Sequence, residues 1–128
     1  DPNFEDDGKA TNSENSLIIN MKNLNVLTDY LQKPEYLSPS GKVRHLILSE
    51  QGFNATNEDV QADQIAKAYE IAKNNPYVEA FFLAREYDQP GEMHNVGGAL
   101  QEMHFGLKDA YERGGRPRKA YSVYKSLQ

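Results

Sequence analysis

The chain has 128 residues, a formal net charge of -5 and no cysteine, a length that allows one domain with a real core. The acidic balance, with a pI near 5.2, argues against nucleic acid as the main partner, because phosphate binding needs a basic face. Without cysteine there are no disulfides or thiolate metal sites, and no apolar run approaches the roughly 18 residues that a membrane span needs, so no membrane partner is expected either.

The opening Asp1-Pro2-Asn3-Phe4 carries neither an initiator Met nor a signal-peptide pattern and reads as part of a longer protein. Residues 1–15, acidic and rich in Asn, Ser and Asp, read as loop. A helix is predicted over 16–31, capped by Asn15 or Ser16. Its apolar positions Leu17, Met21, Leu24, Leu27 and Leu31 follow helical spacing. Pro34, Pro39 and Gly41 end it. The first strand is predicted over 43–48, apolar after Arg44 and His45, as in a strand covered on both faces. It runs into Ser49-Glu50-Gln51-Gly52-Phe53. An apolar run ending in a carboxylate is how a buried parallel strand presents an acid at its C-terminal end.

Residues 52–58 read as an Asn-rich loop. Thr56 or Asn57 caps the next helix, with Asp59 in a first turn that favours negative charge. Its buried stripe is Ile65, Ala68, Tyr69 and Ala72, and Asn74-Asn75-Pro76 stops it. The second strand is predicted over 77–84, followed by Arg85-Glu86-Tyr87-Asp88 and a turn at Pro90-Gly91. Leu100, Met103, Leu107 and Tyr111 predict a further helix, broken by Arg113-Gly114-Gly115-Arg116-Pro117. A last helix over 119–127 places Ala120, Tyr124 and Leu127 on one face.

The order predicts an α/β fold in which strand, helix and strand form a right-handed parallel unit. Two parallel strands make no stable sheet alone. The chain is therefore read as one segment of a larger α/β fold, with open strand edges that favour pairing with other copies.

Ser16-Leu17-Ile18-Ile19-Asn20-Met21-Lys22-Asn23-Leu24, Leu48-Ser49-Glu50-Gln51-Gly52-Phe53 and Lys119-Ala120-Tyr121-Ser122-Val123-Tyr124-Lys125 together resemble the C-terminal part of a bacterial, uncharacterised (DUF5722-like) family. The resemblance spans nearly the whole chain and implies part of a (β/α)8 TIM barrel similar to clan A glycoside hydrolases, from about helix 6 to helix 8. It implies that Glu50, at the end of strand 7, is the catalytic nucleophile. The acid/base Glu of that clan lies at the end of strand 4, before Asp1, so this chain alone is expected to be inactive. A Trp common near strand 8 has no counterpart; Arg85 and Tyr87 stand in that region. The parent would act on carbohydrate without a cofactor, and a secreted or cell-surface parent is one reading.

Retaining glycosidases need two carboxyl groups about 5–5.5 Å apart, and Glu50 supplies one. The alternative is that Glu50 caps the following loop or pairs with Arg85. As substrate-binding residues, Phe53 and Tyr87 would stack on a sugar face, Arg85 would hold Glu50 or a sugar hydroxyl, and Asn54 would hydrogen-bond a ligand. Against this, Asn is also the usual loop and cap residue, and Glu86 and Asp88 read as ordinary rim ion-pair groups. Glu92-Met93-His94 and Glu102-Met103-His104 repeat a triplet that hints at metal. On one helix the two would lie roughly 80° apart, with no further ligand, and no metal is expected. The basic run 113–119 reads as a flexible link rather than a polyanion site.

Overall fold

The computed structural model describes Phe4 and residues 8–127; the expectation for the opening tetrapeptide, and part of that for the loop over 1–15, lie outside them. Among the described residues the chain is mixed α/β. It holds helices α1 (Leu24–Tyr30), α2 (Glu58–Asn74) and α3 (Lys119–Ser126), and strands β1 (Leu46–Gln51), β2 (Val78–Leu83), β3 (Met93–Val96) and β4 (Ala99–Glu102). β1 and β2 pair in parallel; β3 and β4 form a separate antiparallel pair.

The first helix begins later than its apolar spacing predicts. Residues 16–20 are not helical, Leu17 is 85% exposed, and a 3-10 turn over Met21–Asn23 precedes α1. Hydrogen-bonding side chains account for the delay, since Ser and Asn offer the backbone an alternative to the helix ladder. The Ser16 hydroxyl bonds Ile18 O at 2.8 Å. Fully buried Asn23 donates to Thr11 O and Ile18 O at 2.8 and 2.9 Å. Asn20 then starts the turn: its Oδ1 accepts from Lys22 N, and Asn23 Oδ1 accepts from Asn20 N.

β1 lies three residues beyond the predicted strand, so Glu50 sits inside it rather than after it. α2 starts as predicted: Asn57 Oδ1 accepts from Asp59 N at 2.9 Å and from Val60 N at 3.2 Å. Ile65, Ala68 and Ala72 are buried, and Tyr69 meets Phe81 edge to face with ring centroids 6.3 Å apart. α3 packs on α2 through Ala120, with Tyr124 and Leu127 against the same core. Leu46, Leu48, Val78, Phe81 and Leu83 turn toward that core. On the other side Ile47 and Phe82 stay 60% and 54% exposed. The sheet is thus covered on one face, not on both as its apolar run suggested.

The helix expected through Leu100, Met103, Leu107 and Tyr111 is absent, and a hairpin over 93–102 stands at its start. Gly97 and Gly98 form its two-residue loop at φ 61° and 89°, between the paired Val96 and Ala99. A loop with positive φ at both positions selects glycine. Met103 and Leu107 are buried while Leu100 and Tyr111 are exposed, so the helical spacing of the four was coincidental.

Candidate functional site

The C-terminal ends of β1 and β2 are joined by the chain that returns from the hairpin. Ala84 N donates to Gln51 O, Ala55 N to His104 O, Leu107 N to Arg85 O and Lys108 N to Glu86 O. Residues 104–108 therefore lie across the loops that follow both strands. Close approach is required there: a Cβ on Gly52 would come 3.1 Å from the Phe105 ring.

This crossing employs most of the residues expected at a substrate site. Asn54 Oδ1 accepts from His104 N at 2.9 Å. Arg85 pairs with Glu92 at 2.9 Å and donates to Gln89 at 2.9 Å, holding the base of the hairpin and not Glu50. Tyr87 meets Tyr111 edge to face, with Lys108 Nζ 4.8 Å above its ring. Phe53 is buried in the core against Phe4, ring centroids 6.0 Å apart. Phe53 and Asn54 nevertheless border a cavity of about 710 Å³ beside the end of β1. Its apolar floor includes Met21, Leu24 and Leu48, and Asn20, Gln51 and Gln64 add amides. Glu50 stands apart from these contacts. It is exposed and has no partner among the described residues.

The strongest electrostatic feature is one that sequence reasoning treated as ordinary rim chemistry. Asp88, almost fully buried, accepts four hydrogen bonds. Oδ1 takes Gly106 N at 2.7 Å and one Arg118 nitrogen at 2.9 Å; Oδ2 takes the other Arg118 nitrogen and His104 Nδ1 at 2.8 Å. Burial pushes its carboxyl up, but the Arg118, Gly106 and His104 donors outweigh it and hold the group below the usual carboxylate range. Arg118 is equally buried, and also reaches Gly106 O at 2.8 Å and Asp109 at 3.0 Å.

The basic run is thus a row of ion pairs rather than a flexible link. Arg113 meets Glu102, Arg116 meets Glu58 and Asp109, and Lys119 meets Asp59. The Arg116 hydrogen bond, opposed by partial burial and aided by Lys119 N, holds Glu58 below its ordinary pKa. Acidic partners for these cations were visible in the composition, but their positions, 30 to 61 residues away in the case of Asp88, Glu58 and Asp59, were not. The two Glu-Met-His triplets fall on the hairpin and its return: His94 approaches Glu92 at 3.4 Å and His104 serves Asp88. Among the described residues no three His, Asp or Glu side chains converge as a metal site.

The chain belongs to a family of unknown function, DUF5722, whose model matches residues 1–128. No curated protein and no solved structure matches it.

Proposed function

We propose that the chain is the C-terminal part of a glycoside hydrolase-like (β/α)8 barrel protein of bacterial origin that acts on carbohydrate. Glu50 is its nucleophile, and the acid/base carboxyl is supplied from outside this segment. The observation that carries the reading is the Glu50 carboxylate itself, exposed and unpartnered among the described residues near the C-terminal end of a parallel strand. A retaining nucleophile must stay ionised and open to the anomeric carbon, and an ion pair with Arg85 would have consumed it. The sheet adds support: helices cover one face of β1 and β2, while Ile47 and Phe82 lie bare on the other. A (β/α)8 barrel would need such a division, with an outer ring of helices on one face and a filled interior on the other. In isolation the same bare face and edges promote association with further copies.

The test is hydrolysis of an aryl-glycoside panel by the full-length protein, wild type against Glu50→Gln. The expected loss in kcat is at least about a thousandfold, with the fold unchanged. Equal activity overturns the assignment. A second reading, a non-catalytic carbohydrate-binding or structural protein on a degenerate barrel, is favoured by the internal engagement of Asn54, Arg85 and Tyr87. It expects glycan binding that survives Glu50→Gln and no hydrolysis at any pH.

A further inference from the structure

The cavity of about 710 Å³ beside the end of β1 has no charged side chain among its described lining residues, although 26% of the chain is charged. Its floor is apolar, and a few hydrogen-bonding groups complete the lining. Sites for small ligands have that size and make-up. A bulge in β1 supplies one of the polar groups. Leu48 pairs with Phe81 and Gln51 with Leu83, so β1 carries one residue more than β2 between those pairs. Strict alternation would turn Leu48 and Gln51 to opposite faces of the strand; the extra residue brings both to the cavity. The Gln51 carboxamide and the Thr56 hydroxyl have no partner among the described residues. Asn54 is held through Oδ1 by His104 N, which leaves its amino group for a ligand.

Phe4 lines this cavity from outside the helices and strands. Its ring packs on Phe53 at a centroid distance of 6.0 Å, and Asn20 Nδ2 donates to its carbonyl at 3.1 Å. Its φ is 56°, in the left-handed region that an aromatic residue seldom adopts. The backbone is strained to keep an aromatic ring against the cavity, and strain of this kind points to a function. We propose that the cavity binds a small uncharged molecule with a flat apolar ring and a hydrogen-bonding edge, and that Phe4 is a lid which the ligand displaces. The ligand ring takes the place of the Phe4 ring against Phe53, and its polar edge meets Gln51, Asn54 and Thr56. A charged ligand is rejected, because a buried charge without a counter-charge is costly. Glu50 does not line the cavity, so the proposal is independent of its role.

Titrating benzamide into the full-length protein while following the Met21 methyl resonance by NMR tests it. Met21 lines the cavity, and Met93 on the hairpin serves as control. A saturable shift of Met21 without one of Met93 is expected, with benzoate and benzylammonium at least about tenfold weaker. This selectivity is read on the wild type and needs no variant to fold. Phe4→Ala, which removes the competing ring, should tighten benzamide about tenfold. Gln51→Met, which keeps the shape and removes the carboxamide, should weaken it about fivefold. No saturable shift in wild type or Phe4→Ala, charged probes that bind equally well, or an affinity that Phe4→Ala leaves unchanged or lowers each overturns the proposal. So does binding by the isolated chain that the full-length protein lacks, since the cavity would then be a seam filled by the rest of the protein.

Discussion

Replacing Arg118 with Met keeps most of the side-chain stem and removes only the guanidinium. Asp88 then keeps two of its four donors, Gly106 N and His104 Nδ1, in a site where its side chain is 4% exposed. Breaking a buried ion pair by deleting one partner costs about 3–5 kcal/mol, because an uncompensated charge stays behind. For a domain of this size that corresponds to a fall of about 10–15 °C in Tm. Urea and thermal denaturation measure it. The pH dependence identifies the cause. Asp88 titrates below its ordinary value in the wild type, so its contribution is full above about pH 3.9 and is lost as pH falls through the folded pKa. In Arg118→Met burial prevails, the neutral carboxyl is favoured, and acidification relieves the variant. The stability gap should therefore narrow between about pH 7 and about pH 4.5. A gap that stays constant over that range, or a loss below about 1 kcal/mol, refutes the reasoning.

Gly106→Ala should prevent folding, because its Cβ would lie 2.4 Å from Asp88 N and 2.5 Å from Lys108 O, both backbone atoms that have no room to move; circular dichroism would register the loss. Gly98→Ala meets no neighbour but holds φ 89°, and should cost only about 1–2 kcal/mol by denaturant unfolding. Asn57→Ala removes the cap of α2 and should cost about 1 kcal/mol in the same assay. Glu50→Gln should alter stability by less than about 0.5 kcal/mol, which separates its effect on activity from any effect on folding. Light scattering should find association of the isolated chain at micromolar concentration, reduced by Ile47→Lys; a monomer throughout would count against the open-edge reading.

Elements whose own residues decide them were legible from the sequence. Asn57 and the Ile65, Ala68, Ala72 stripe located α2, and the apolar runs located β1 and β2 to within three residues. Ala120, Tyr124 and Leu127 located α3. The hairpin was misjudged because Leu100, Met103, Leu107 and Tyr111 fit a helical period by chance, although Gly97-Gly98 already signalled a two-residue turn. The Asp88 network was illegible for a different reason. Its members come from residues 88, 104, 106 and 118, and local periodicity says nothing about which distant charges meet. Glu50 is legible from its place after an apolar run, yet its lack of a partner among the described residues appears only in three dimensions.

The four donors on Asp88 also govern how the molecule opens. They reach it from the hairpin return and from Arg118, the residue immediately before α3. Neither segment can leave alone without stranding a buried charge, so both should detach in one cooperative event rather than fray. Amide hydrogen exchange at Gly106 would then keep pace with that of α3, and the solvent-exposed tip of the hairpin, where the Asn95 side chain accepts from Gly98 N, would exchange faster while both remain closed.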